Sequence, residues 1–198
     1  MTSANGTSRA RESIPANIFL VGLMGAGKTS VGKLLAQRLQ KQFFDCDQEV
    51  ERVTGVKIAL IFEIEGESGF RARETRMLAE LASYKNAVIA TGGGAVLSEA
   101  NRRLLIDSGI VVYLRAAPAD LWRRTRHDKQ RPLLNTEDRM SRLEELFAQR
   151  DPLYREVADI VVDTGSQSLA ALGGKLERRL LEFAARPEGR ENRHASAD

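Results

Sequence analysis

Cysteine is all but missing from this 198-residue chain: Cys46 stands alone, so no disulfide can form within it. A fold that depends on covalent staples is excluded, and a reducing compartment, the cytoplasm, is the expected location. Long hydrophobic runs are lacking as well, and none approaches the length of a membrane span. The opening MTSANGTSRARES has no apolar stretch to act as a secretory signal, and Glu12 and its shortness argue against a transit peptide. Residues 1–13 are expected to be a flexible tail, as are residues 186–198. Neither sign of charge dominates, since 30 basic and 27 acidic side chains leave a net charge of only +3. That balance allows a local anion site without requiring a nucleic acid or a membrane surface. No arginine block or aromatic ladder supports a nucleic-acid module either.

What is present suffices for one domain, expected over residues 14–185: 42% of residues are hydrophobic and 29% charged. No internal repeat interrupts that range. NIFLVGL (17–23) reads as a buried strand, followed by a helical face of Val31, Leu34, Leu35 and Leu39. QFFDCD (42–47) suggests a second strand ending in acids, then helical segments to about Tyr84, broken near Gly55 and Gly66. AVIATGGG (87–94) is a strand running into a glycine triplet. A helix (about 97–107), a strand (109–116) and a helix (about 118–127) come next. A polar, basic stretch (126–138) precedes a helix to about Arg150, a strand (159–164) and a closing helix (168–185). Strand–helix alternation predicts an α/β fold with a parallel sheet covered on both faces. Ligands of such sheets gather at the carboxyl ends of the strands.

Residues 22–29, GLMGAGKT, fit the P-loop pattern G-x-x-x-x-G-K-[ST] between a strand and a helix. Average residue usage gives a chance match of about one per cent in a chain this long. Phosphate oxygens need several donors converging on a small volume. Glycines let successive N–H groups point inward, and the helix start adds unpaired N–H groups and a positive dipole end. Lys28 is expected to reach the outer phosphates and the Thr29 hydroxyl to coordinate Mg²⁺. No Asn-Lys-x-Asp segment occurs to read guanine, so ATP is the expected nucleotide.

Other residues bear on what receives the phosphate. If residues 42–47 are extended, Asp45 and Asp47 point the same way. One could then hold the metal's water shell and the other orient an acceptor hydroxyl and take its proton. The alternative is a helix cap for DQEVERV. Arg71 in GESGFRARETRML has Glu74 at i+3, a pair that is surface decoration if exposed. If partly buried, Glu74 would orient the guanidinium fork for a carboxylate. The TGGGA segment (91–95) leaves little side chain to fill a cleft, so a ligand can lie against main chain. Arg131 in RPLL (131–134) could swing onto a transferring phosphoryl group, as a lid residue would. Arg155 in PLYREVAD is less telling and on spacing alone reads as a helix-end arginine.

In order, GLMGAGKTSVGK, FFDCDQEVERVTG, IFEIEGESGFRARE, TGGGAV, RPLL and PLYREVAD resemble shikimate kinase over about residues 17–180. The resemblance implies a P-loop, nucleoside-monophosphate-kinase-like fold with a five-stranded parallel sheet. It also implies a substrate-binding subdomain (about 45–84) and a lid (about 124–138). It implies transfer of the ATP γ-phosphate to the 3-hydroxyl of shikimate, in aromatic amino-acid biosynthesis. A monomer is the default for a cleft that must open and shut. The P-loop residues Gly25, Ala26, Gly27, Lys28, Thr29 and Ser30 would hold ATP, with Arg124 beside adenine and Arg131 on the phosphates. Asp47 would contact the shikimate hydroxyls as base, and Asp45 would help Thr29 hold Mg²⁺. Arg71 and Arg155 would grip the carboxylate. Gly93 and Gly94 would lie against the substrate, with Phe62 and Phe70 as walls. Lys28, Asp47 and Arg131 form the implied catalytic set. The nearest rival is a gluconate-type or nucleotide kinase of the same fold, and a more distant one is an inactive ATP-binding switch. The paired arginines and the glycines argue against a flat nucleobase acceptor.

Overall fold

A computed structural model of the chain describes residues 14–126, 136, 138–165 and 167–186. Its central strand, β1 (Asn17–Val21), is buried at all five positions. A strand with no polar face belongs where both sides of a sheet are covered. β1 pairs in parallel with β3 (Ala87–Ala90) on one side and β4 (Gly109–Arg115) on the other. β2 (Gln42–Asp45) and β5 (Ile160–Asp163) form the edges of a five-stranded parallel sheet, in the order β2-β3-β1-β4-β5. The sheet is the one expected from the sequence.

The connecting helices are α1 (Lys28–Leu39), α2 (Cys46–Thr54), α3 (Ile58–Ala82) and α4 (Glu99–Ser108). α5 (Pro118–Thr125), α6 (Arg139–Val157) and α7 (Leu169–Ala184) follow. Register sets Leu20 beside Ala90 and Ala90 beside Asp45. The segments leaving β1, β3 and β2 therefore start at one level, beside the strand where the connection order reverses. Such a crevice is where open α/β sheets take their ligands. Asn17 braces the opposite end. Its amide donates to the carbonyls of Ala82 (3.2 Å) and Tyr84 (2.6 Å) and accepts from the Ala87 N–H (3.0 Å). No helix among the described residues is long and apolar enough to cross a membrane.

Three details depart from, or sharpen, the expected elements. β2 stops at Asp45, whose carboxylate accepts from the Asp47 N–H (3.2 Å) and the Gln48 N–H (3.3 Å) and so caps α2. The expectation of an extended Asp45-x-Asp47 is corrected: the helix cap wins, and Asp47 lies in the first helical turn. α6 continues through Pro152 to Val157 instead of ending near Arg150. Leu143, Leu146, Arg150, Tyr154 and Val157 are buried at helical spacing, and that packing outweighs the hydrogen bond Pro152 cannot donate. α3 bends at Gly66 (φ 70°), as the expected break there requires, and an Arg73–Glu65 ion pair of 2.6 Å spans the bend.

Candidate active site

The P-loop joins β1 to α1. Gly27, at φ 96°, turns the chain directly into the helix, a conformation costly for any residue with a Cβ. A helix start at this position is the feature by which such turns bind phosphate. The Lys28 ammonium donates to the carbonyls of Gly22 (2.6 Å) and Leu23 (3.0 Å), lying back along the loop. Ala26 is buried and Ser30 exposed. Arg124 ties the loop to the segment after β5. Its guanidinium donates to the Gly25 carbonyl (3.3 Å), the Thr164 hydroxyl (3.1 Å) and the Gly165 carbonyl (2.6 Å). Arg131, with the rest of RPLL, lies outside the described residues.

The Thr29 hydroxyl donates to the Asp45 carboxylate at 2.6 Å. A hydroxyl and a carboxylate at a phosphate-binding turn fit Mg²⁺, which keeps most of its water and takes phosphate oxygens. Among the described residues no group of three or more His, Cys, Asp or Glu forms a metal cage, and Mg²⁺ in this role needs none.

Facing the loop, the glycine triplet is a meeting point for side chains from three helices. A Cβ on Gly92 would lie 1.9 Å from Glu74 Oε1 and 2.9 Å from Asp47 Oδ1. One on Gly94 would lie 2.3 Å from the Arg71 guanidinium. Gly93 sits against the P-loop backbone, its Cβ position 3.4 Å from the Met24 nitrogen. Its carbonyl accepts from Arg150 Nη1 (3.0 Å) and the Tyr154 hydroxyl. The triplet is bare because Asp47, Glu74 and Arg71 occupy the space. Two of these are the groups that the sequence reading sent to the acceptor side.

Electrostatics organises the cluster. Arg71 Nη1 donates to Glu74 Oε2 at 2.7 Å, while Nη2 (2.8 Å) and Nε (3.2 Å) donate to Glu67 Oε1. Glu74 is 0% exposed, the buried case in which the pair orients the guanidinium. Burial pushes the Glu74 carboxyl above its ordinary value, and Arg71, Arg150 and Lys28 pull against that shift. Burial acts to lower the Arg71 value, but Glu74 and Glu67 outweigh it and hold the guanidinium firmly charged. The Phe70 ring lies 5.3 Å from Arg71 Cζ and 4.9 Å from the Phe62 ring. Phe70 is buried and Phe62 partly so.

Arg155 does not join this cluster. Five residues along a helix is a rotation of about 140° from Arg150. Arg155 instead pairs with Asp151 at 2.7 Å with its side chain 49% exposed. Asp151 also accepts from the Tyr113 hydroxyl (2.8 Å) and Arg115 Nε (3.2 Å). The second arginine against the glycines is Arg150, 2% exposed, its value lowered by burial and by the like charge of Arg71. Of the two, Arg150 and not the expected Arg155 lies against the glycine triplet. Arg150 and Tyr154 were missed, although a charged residue on an otherwise apolar helical stripe was the available signal.

The arrangement thus gathers the P-loop, the two arginines and the Asp47 carboxylate around one glycine triplet. The family model for shikimate kinase matches residues 24–180. The chain is 60% identical to the shikimate kinase of Nitrosospira multiformis over 164 residues, covering 83% of this chain and 84% of the relative. It is 53% identical to that of Chromobacterium violaceum over 179 residues, covering 90% and 97%. Among solved structures, the shikimate kinase from Acinetobacter baumannii in complex with shikimate superposes with a TM-score of 0.86 at 48% identity. That match covers 90% of this chain and 99% of the other. With motif order, sheet topology and overall likeness in agreement, the chain belongs to the shikimate kinase family.

Proposed function

We propose that the chain transfers the γ-phosphoryl group of ATP to the 3-hydroxyl of shikimate, giving shikimate 3-phosphate and ADP. The observation that carries this reading is the convergence of Arg71, Arg150 and Asp47 on the glycine triplet, opposite the P-loop. Two guanidinium groups match one carboxylate, and the carboxylate of Asp47 matches hydroxyls. Gluconate offers the same kinds of group on an open chain, so the walls Phe62 and Phe70, which suit a ring, and the acceptor assay distinguish it from shikimate.

In this reading the P-loop amides and Lys28 hold the β- and γ-phosphates, and Arg124 flanks the adenine. Thr29 and Asp45 hold Mg²⁺, which when bound neutralises charge on the phosphate oxygens. Arg71 and Arg150 fix the shikimate carboxylate, and Gly93 and Gly94 let the ring lie against main chain between Phe62 and Phe70. Asp47 orients the 3-hydroxyl and takes its proton as that oxygen bonds to phosphorus and the bond to ADP breaks. Transfer of this kind rests on positioning and charge neutralisation. The proposal includes one kinase domain over residues 14–185, with residues 45–84 around the acceptor and 124–138 as a lid. It also includes action as a monomer in the cytoplasm.

The test is ADP release from Mg-ATP with shikimate, gluconate, quinate or a nucleoside monophosphate as acceptor. Turnover with shikimate alone supports the reading; preference for another acceptor overturns it. Asp47→Asn should keep ATP binding and lose turnover by about 10²- to 10⁴-fold, the usual worth of a positioned base. Full activity in that variant would remove Asp47 from the chemistry.

A further inference from the structure

Arg71 and Arg150 are held in different ways. Arg71 donates to two carboxylates, Glu74 and Glu67, which orient it but offset its charge. Arg150 is the more deeply buried of the two, yet it forms no ion pair among the described residues. Its Nη1 donates to the Gly93 carbonyl at 3.0 Å. The guanidinium also interacts with the Tyr154 hydroxyl, one helical turn on. That hydroxyl donates to the same Gly93 carbonyl, so both acceptor positions of the carbonyl are filled. The Tyr154 ring has little room to swing, being 0% exposed and packed on the Tyr113 ring at 4.9 Å. Burial holds its phenol well above the ordinary value, so the group stays protonated and neutral.

We propose that Tyr154 is the positioning residue for Arg150: with the Gly93 carbonyl it fixes the direction of the guanidinium through neutral oxygens and leaves its charge to the acceptor carboxylate. This rests on shikimate being the acceptor. A carboxylate in the place of Tyr154 would hold Arg150 as firmly, but it would cancel the attraction that Arg150 offers. A cation buried without a counter-ion is costly, and the acceptor carboxylate supplies the missing one. Tyr154 acts through Arg150 and is not itself a catalytic residue.

The test is Tyr154→Phe, which keeps the ring and removes the hydroxyl; the Gly93 carbonyl retains Arg150 as a donor, so the fold survives. The KM for shikimate should rise by about 3- to 10-fold, the worth of one hydrogen bond, with the KM for ATP within about twofold of wild type. Tyr113→Phe is the matched control. It takes a hydroxyl from the neighbouring buried ring, one bonded to Asp151 and not to Arg150, and should leave the shikimate KM within about twofold. An equal rise in both variants would make Tyr154 a packing residue and overturn the proposal. So would an unchanged shikimate KM in Tyr154→Phe, whatever its urea midpoint. The coupling itself is read in a double-mutant cycle on kcat/KM for shikimate, which needs no saturation. In an Arg150→Met background, Tyr154→Phe should alter that ratio by less than about twofold. The same factor in both backgrounds would show that Tyr154 acts apart from Arg150, and would also overturn the proposal. A wild-type chain that fails to turn over shikimate overturns the functional reading too, whereas an active wild type with an unaltered Tyr154→Phe overturns this inference alone.

Discussion

Replacing Gly94 by alanine separates the space a glycine leaves from the backbone freedom it allows. Gly94 has φ −104° and ψ 0°, which an alanine adopts. Space is the constraint, since the new Cβ would lie 2.3 Å from Cζ and both terminal nitrogens of Arg71. Non-bonded carbon contacts settle at about 3.5–4.0 Å, so the guanidinium must retreat by more than about 1 Å. The struck atoms end a flexible side chain, so the backbone stays and Arg71 moves. That breaks its 2.7 Å bond to Glu74 and spoils the grip on the acceptor carboxylate that we propose for it. A charge-assisted hydrogen bond is worth about 1.5–3 kcal/mol, which at about 1.4 kcal/mol per decade is about 10- to 150-fold in the KM for shikimate. Glu74, left buried with a weakened partner, should also lower folding stability by about 1–3 kcal/mol. Two titrations of ADP release, shikimate at saturating Mg-ATP and the reverse, read the first effect, and a urea melt reads the second. A shikimate KM within about twofold of wild type would refute the reasoning. Equal rises for shikimate and ATP would do so too, because the whole cleft and not Arg71 would then have shifted.

Arg150→Met should raise the KM for shikimate by about 10- to 150-fold in the same titrations, the range of lost charge-assisted bonds. Arg155→Met should leave it within about twofold, as an exposed i,i+4 pair is worth little; the reverse order would restore Arg155 to the site. Asn17→Ala removes three hydrogen bonds at a buried position and should cost about 2–4 kcal/mol in a urea melt, since the abandoned backbone groups lose their partner. The Glu74 carboxyl titrates above its ordinary 4.5 in the folded chain, so its protonated form favours folding. That contribution is complete below 4.5 and is lost as pH rises through the raised folded value. Glutamine cannot ionise, so the stability of Glu74→Gln relative to wild type should grow with pH across that window. A difference flat in pH would count against the assignment.

The phosphate side was legible because its chemistry is local: one loop supplies the glycines, the lysine and the helix start in eight consecutive residues. The sheet was legible too, since its strands are short apolar runs separated by helical periodicity. Asp45 and Asp47 were harder. An acid after a strand reads equally as the strand's end or as the next helix's cap, and the two Asp45 oxygens serve that cap and Thr29 at once. Arg150 was hidden by a correct local rule. Pro152 predicts a helix end, yet Tyr154 and Val157 continue the buried stripe beyond it. Only the packed structure shows the stripe prevailing. Arg155 entered from the resemblance and not from the residues, and five residues past Arg150 the turn of the helix carries it to another face.

The glycine triplet links these two sides of the site, and its three positions do different things. Gly92 gives room to the two carboxylates, Gly94 gives room to Arg71, and Gly93 touches the P-loop backbone while its carbonyl is held by Arg150 and Tyr154. The P-loop and the arginines we propose for the acceptor are thus referenced to the same three residues beyond the end of β3. In-line transfer requires that the acceptor oxygen and the γ-phosphorus be set to within a fraction of an ångström. Such tolerance is hard to reach if donor and acceptor are held by elements that move independently. A segment too small to carry side chains of its own, packed on one side by the loop and on the other by α6, supplies a common reference. A substitution at Gly93 should therefore differ from one at Gly94. It should depress turnover with both ligands bound, because it displaces the two halves relative to one another. A shikimate-specific rise in KM at Gly93, in the same pair of titrations, would show that the triplet serves the acceptor alone.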